Sequence, residues 1–339
     1  MIGTADENAT RKAEIEITSS RKQLSTQNAF QGTTMHKVTS EIYTENDQIS
    51  EELDNGNAVT EFTFKCPSYM IEAESTAETL NYDSDDDLDV DRDKEGVILI
   101  EHSVSTELNL VGLQVWRAAL LLADYILSHQ DLFRNQIILE LGSGVGLTSI
   151  VASYLAKEVI CTGNENTSWN PSVENFNPIC SNIPDINVGD ILNLIERNFL
   201  RNYTYVRSGF HIEEVNFLNL EWPNKLEEKL QSANIVLAAD VIYDDKITDG
   251  FVRTLTKLLY TKKKKIIYIA LEKRYVFTVA NLDTIAPMYE EFLRCVEKYK
   301  MNWSVDYINI DFPRYFKYDR VKHLVLMKIQ NNTRSVAHT

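Results

Sequence analysis

The chain has 339 residues, 44% of them hydrophobic and 10% aromatic, enough to bury a sizeable core. Its formal charge of −16 is unevenly placed: residues 1–95 hold 22 Asp and Glu against 8 Lys and Arg, which leaves 28 acids against 26 bases, net −2, in the rest. A near-neutral body behind an acidic stretch lacks the surplus of Lys and Arg that neutralises duplex phosphates, so direct nucleic-acid binding is not expected.

Residues 1–95 are rich in Ser, Thr, Asn, Glu and Asp, and Asp83-Ser84-Asp85-Asp86-Asp87 with Asp89, Asp91 and Asp93 repels itself. Such a stretch buries too little apolar surface to offset its ordering entropy. Region 1–95 is therefore expected to be mostly disordered, with Phe62, Phe64 and Tyr69 as seeds of a short ordered piece, and the folded domain is expected to span 96–339. The polar Met1–Lys12 segment contains no apolar signal core. Val97–Ile100 reads as a short buried strand. Val111–Leu127 reads as a helix, with Val115, Ala118, Ala119, Leu122 and Ile126 at three- and four-residue steps. The most hydrophobic stretch, Leu108–Leu127, holds Asn109, Gln114, Arg117 and Asp124, which excludes it as a membrane span.

Ile137–Leu141 is the next predicted strand. It runs straight into Gly142-Ser143-Gly144-Val145-Gly146 and then a helix with Leu147, Ile150, Val151, Tyr154 and Leu155 on one face. Strands follow at Val159–Thr162, Ile212–Val215, Ile235–Ala239 and Ile266–Ala270, and helices at Ile191–Arg201, Lys225–Gln231 and Thr248–Leu259. The alternation predicts an α/β doubly wound, mostly parallel sheet. Val305–Ile310 and His323–Ile329 predict an antiparallel hairpin at its edge. Cys66, Cys161, Cys180 and Cys295 form no C-x-x-C pair, so neither a zinc site nor a disulfide framework is expected, and no metal. An intracellular soluble monomer, nuclear or cytoplasmic, is the expectation.

A strand, a glycine turn and a helix make a ligand cradle, because glycine lets backbone approach a ligand. The dinucleotide fingerprint would need a third glycine at 147, where Leu147 stands; here it falls at 146. Glu140-x-Gly142-x-Gly144-x-Gly146 resembles the first motif of class I, seven-stranded S-adenosylmethionine methyltransferases. An acid there suits a sulfonium or an ammonium, not a pyrophosphate. Val115-Trp116-Arg117-x-Ala119-Leu120-Leu121-Leu122-Ala123 and Ala238-Ala239-Asp240-Val241-Ile242-Tyr243 add a resemblance to the methyltransferase-like protein-lysine methyltransferases, whose hallmark is Asp/Glu-x-x-aromatic after the fourth strand. The resemblance covers about Val97–Ile329. No Asn-Pro-Pro-aromatic string, the mark of amide- or adenine-methylating enzymes, follows that strand.

The resemblance implies S-adenosyl-L-methionine as cofactor and a protein substrate presenting a lysine, methylated by direct in-line transfer. It places Trp116, Glu140, Gly142, Ser143, Gly144, Gly146 and Ala239 at the cofactor, Trp222 beside the adenine, and Asp240 and Tyr243 at the substrate lysine. The family's ribose-binding acid should end the second strand, but Gly163 stands there. Residues 163–184 hold six Asn, three Pro and three Ser and read as an irregular insertion. Skipping it joins Thr162 to Asp185, the candidate ribose acid, with Glu165 as the alternative. The missing acid at 163 also leaves open a catalytically degenerate methyltransferase fold serving as a binding or scaffold module.

Overall fold

The computed structural model describes residues 37–43, 49–53, 56–75, 94–164, 191–261, 263–278, 283–299 and 303–331. Strand β1 (Ile49–Glu52), β2 (Asn57–Lys65), helix α1 (Ser68–Ser75) and β3 (Glu95–Ser103) come first. A 3-10 turn over Leu108–Leu113 leads to α2 (Arg117–Ser128) and the single turn α3 (Gln130–Phe133). Then follow β4 (Ile137–Glu140), α4 (Leu147–Ser153), β5 (Glu158–Gly163), α5 (Ile191–Arg201) and β6 (Gly209–Glu214). Next are α6 (Asn224–Ser232), β7 (Ile235–Ala239), α7 (Asp245–Leu259) and β8 (Ile266–Glu272). The short β9 (Val276–Thr278) and β10 (Asp283–Ile285) precede α8 (Pro287–Tyr299), β11 (Trp303–Ile308) and β12 (Leu324–Asn331).

Seven of these strands form one sheet in the order β11-β12-β8-β7-β4-β5-β6. From β8 to β6 the neighbours are parallel, and β12 runs antiparallel to both β8 and β11. This is the expected doubly wound sheet with its terminal hairpin. Side chains of a strand alternate between faces. Ile138, Val159, Leu237 and Tyr268 enter the core shared with α2, α4 and α5, while Leu139, Ile160, Val236 and Ile269 enter the one shared with α6, α7 and α8. Strand order reverses between β4 and β7, and ligand crevices of such sheets open at the carboxyl ends beside that point.

Three expectations are corrected. The boundary at 95/96 does not separate disordered from folded chain: β3 begins at Glu95 and pairs with β2 in register from Asn57↔Ser103 to Lys65↔Glu95. The ordered piece around Phe62 and Phe64 is a nine-residue strand of a separate three-stranded sheet, β1-β2-β3. Phe64 explains why it holds. Its ring lies where a Cβ on Gly96 would be, 2.5 Å from Cζ, and it packs on Tyr205 and Phe316 at centroid distances of 5.7 and 5.2 Å. Second, the helix expected over Val111–Leu127 is broken. Gln114 and Trp116 are extended, at φ −127° and −121°, because the buried Gln114 side chain bonds to other parts of the chain. Third, α8 was not anticipated, although Phe292, Cys295 and Val296 are buried along it at helical spacing.

Among the described residues no strand pairs with the outer edge of β3, and side chains of α5 bond to it. Asn202 exchanges two hydrogen bonds with the Leu99 backbone (2.9 and 2.7 Å) and Asn198 two with Glu101 (2.7 and 2.9 Å). The fully buried Glu101 carboxylate pairs with Arg197 at 2.9 Å and Arg201 at 3.0 Å, which hold it below its usual titration range against the opposing effect of burial. Among the described residues no helix is long and apolar enough to cross a membrane. Phe64→Ala should destabilise the chain by about 3–5 kcal/mol in urea unfolding, the range for deleting a buried aromatic. A change under ~0.5 kcal/mol, typical of exposed positions, would show that β2 is not integral to the fold.

Candidate active site

The turn from β4 into α4 needs left-handed backbone at three alternate positions: Gly142, Gly144 and Gly146 have φ +66°, +54° and +89°. Only glycine adopts this without a Cβ clash. Each glycine also faces a close neighbour. A Cβ at 142 would come within 2.9 Å of Val241 Cγ1, and one at 144 within 3.2 Å of the Gly112 carbonyl oxygen. The turn is locked to the end of β5. Thr162 Oγ1 accepts from Gly142 N (3.1 Å) and donates to Glu140 O (2.9 Å); Ser143 N donates to Thr162 O (2.7 Å), and Thr162 N to Ser143 Oγ (3.0 Å). Ser143 is thus a brace of the turn.

Glu140 lies beneath it, 1% exposed, and accepts a hydrogen bond from the Ser149 hydroxyl. Burial pushes its carboxyl up to about 7, against the downward pull of bonds from Ser149, Thr148 and Ser143. The segment Gly112–Trp116 arches over Gly144, with the Gln114 carbonyl oxygen 3.9 Å from a Cβ there. Trp116 closes the arch by donating Nε1–H to Val111 O at 2.9 Å, and the Arg274 guanidinium sits 4.7 Å above its ring.

Parallel pairing of β4 with β7 brings the ends of both strands together. Ala239 is the last residue of β7 and Asp240 follows it in left-handed conformation, φ 51°, unusual for a non-glycine residue. Asp240 Oδ1 accepts from Glu272 N at 2.9 Å, and Oδ2 from Ala118 N, in the first turn of α2, at 3.4 Å. It therefore ties β7 to the end of β8 and to the start of α2. Burial raises its carboxyl to about 6, while nearby Arg274 pulls it down. Beside it, Arg117 Nη1 lies 3.1 Å from both oxygens of Glu272. Tyr243 is 36% exposed beyond Asp240. The cap of α7 is Asp244, which accepts from Lys246 N at 2.9 Å and Ile247 N at 3.0 Å.

Trp116, Glu140, Gly142, Ser143, Gly144, Gly146, Ala239 and Asp240 thus lie on the glycine turn, on the arch above it or at the adjoining ends of β4 and β7. Trp222 lies in the core with α6 and α7, 8% exposed, with Lys257 Nζ 4.1 Å from its ring centre. The aromatic that reaches the glycine turn from the loop after β6 is Phe217, whose Cζ lies 3.9 Å from a Cβ at Gly142. Neither glycine spacing nor periodicity marked Phe217; only its place after the third parallel strand could have. Asp185 and Glu165 lie outside the described residues.

A family model described as lysine methyltransferase matches residues 94–175 and 183–287. The interruption at 176–182 falls within the segment read as an insertion. Human methyltransferase-like protein 22 is 33% identical over 69% of this chain and 57% of its own length; the mouse protein of that name is 32% identical over 74% and 64%. Mouse protein-lysine N-methyltransferase EEF2KMT is 28% identical over 58% of this chain and 53% of its own length. The chain spans less than two thirds of the length of these relatives. The family match covers more than half of the chain and takes in the strand, the glycine turn and Asp240–Tyr243, so the chain belongs to the lysine methyltransferase family.

Proposed function

We propose that the chain is an S-adenosylmethionine-dependent protein-lysine N-methyltransferase that transfers the methyl in one in-line step. The observation that carries this reading is the cradle of Gly142, Gly144 and Gly146 over buried Glu140, directly beside Asp240 and Tyr243. The residues fit such a cofactor. The turn carries no side chain at 142, 144 and 146, Glu140 gains from a cation opposite it, and the buried Trp222 Nε1 has no acceptor among the described residues. An orphaned indole N–H is what an acceptor on a bound group would satisfy. Asp185 is proposed for the ribose hydroxyls, with Glu165 as the alternative.

When bound, the cofactor supplies a methyl on a sulfonium, whose sulfur leaves with the carbon–sulfur bonding pair. The chain's task is to orient the amine and to remove charge and water. Asp240, ionised above about pH 6, attracts the lysine ammonium. Its two oxygens each retain a lone pair beyond the backbone bond they accept. The ammonium proton passes to solvent, and the neutral amine then forms the new nitrogen–carbon bond. Tyr243 packs on the lysine stem and, by cation–π contact, on the ammonium. The substrate is a protein, and the chain acts as a monomer.

Calorimetric titration of the full chain with S-adenosylmethionine tests the cradle: Gly144→Arg should abolish binding, and equal binding by a folded Gly144→Arg would sink it. Tyr243→Ala should keep cofactor affinity within about threefold yet lose most transfer of tritiated methyl to protein lysine in extract lacking the enzyme, the pattern of a group that acts on substrate alone. Label on arginine or nucleic acid would overturn the lysine assignment. Binding without any transfer would favour the scaffold reading.

Glu140 adds a pH signature. The folded chain holds its proton up to about 7, against 4.5 for an ordinary glutamate. Between those values the native state binds more protons than the unfolded one. This contribution to stability is full below pH 4.5 and is lost as pH rises through 7, at most about 3 kcal/mol. Comparing urea unfolding at pH 5 and pH 8, Glu140→Gln should lose less stability than wild type. Cofactor affinity should rise over the same interval in wild type and stay flat in Glu140→Gln; parallel pH curves would remove Glu140 from the site.

A further inference from the structure

The matched family region begins at residue 94, yet Val38–Tyr43 is bound to the arch that roofs the glycine turn. Val38 and Thr106 exchange backbone hydrogen bonds at 2.7 and 2.9 Å. Gln114, 2% exposed, accepts from Ser40 N at 2.6 Å and donates to Val38 O at 2.9 Å. The Tyr43 hydroxyl accepts from Val115 N at 2.8 Å, and its ring stacks on His102 at 4.0 Å. Glu41 accepts from Arg274 Nη1 at 3.2 Å and lies 3.9 Å from Arg117 Nη1. Arg274 is the residue over the Trp116 ring. Ile42 is fully buried between these contacts.

We propose that Val38–Tyr43 is a clamp that completes the methyl-transfer pocket, with Tyr43 and Glu41 as positioning residues. The inference rests on the methyltransferase reading of the same crevice. Gln114–Trp116 is an extended break between the 3-10 turn and α2; Gln114 N still closes that turn on Val111 O at 3.3 Å, but Val115 N has no place in a helical ladder and takes its partner from Tyr43. Tyr43 and Ser40 engage that break directly above Gly144. Glu41 holds the Arg274 guanidinium, and Arg274 in turn covers Trp116 and faces Asp240. The clamp thereby sets the height of the cofactor roof and the placement of the charge beside the substrate acid. Neither residue meets the reacting atoms; both act through Gln114–Trp116 and Arg274.

The test is calorimetry of the full chain with S-adenosylhomocysteine, alongside the melting of each ligand-free protein. Tyr43→Phe removes one oxygen and Glu41→Gln one charge at nearly constant shape. Each should weaken binding about three- to tenfold, the scale of one lost hydrogen bond or exposed ion pair in a positioned site. Glu41→Gln and Arg274→Met should not be additive: the double variant should bind no worse than the weaker single one, a coupling that general loosening of the fold would not produce. Should Tyr43→Phe lower the melting midpoint by more than a few degrees, that cycle decides. A wild type that binds, with both single variants binding equally well or the cycle strictly additive, overturns the clamp alone. A wild type that takes up no S-adenosylhomocysteine overturns the methyltransferase reading and the clamp with it.

Discussion

The chain must turn through three left-handed residues within five positions, at the end of a buried strand, without leaving polar backbone unpaired. Glycine at 142, 144 and 146 answers the first demand. Thr162 and Ser143 answer the second, because a hydroxyl both donates and accepts and so can stitch β4, the turn and β5 together. The remaining geometry follows from this. With the turn pinned at the point where strand order reverses, α4 is directed back over the sheet, and the Gly112–Trp116 arch descends to within contact distance of Gly144. The pocket is therefore built largely of main chain, a surface that tolerates few substitutions.

Two carboxyls line this crevice, and burial moves both towards neutrality, Glu140 to about 7 and Asp240 to about 6. Neither is a simple ion pair. Glu140 leans on hydroxyl groups, whereas Asp240 accepts two backbone N–H groups and feels Arg274 nearby. Buried acids satisfied by neutral donors keep part of their demand for positive charge, since hydrogen bonds offset only some of the desolvation. Arg117 is paired with Glu272 at 3.1 Å, while Arg274 lies near enough to Asp240 to pull its carboxyl down.

Much of this was legible in the sequence. β4, β5, β7 and β8 are short apolar runs between glycine or polar punctuation, and the glycine spacing marked the left-handed turn that follows β4. The rest failed for identifiable reasons. β2 is hidden by the acidic composition around it; the alternation of Phe62 and Phe64 is too short to compete with that signal. The break at Gln114 is invisible to periodicity, because Val111 and Val115 fit a helix whether or not the chain is extended between them. Asp240 showed its position but not its two backbone bonds, which come from Ala118 and Glu272, residues far away in sequence. Phe217 had no local pattern at all.

Asn198 explains why the first sheet cannot be an independent appendage. Its side chain exchanges two bonds with Glu101 on β3 and donates a third to the carbonyl of Val145, inside the glycine turn. One fully buried amide thus joins the edge of β3 to the ligand cradle. Loss of β3 would take from the buried Asn198 and Asn202 amides their backbone partners at Glu101 and Leu99, and each buried polar group left unpaired costs about 1–3 kcal/mol. The sheet of β1, β2 and β3 is therefore tied to the glycine turn through Asn198.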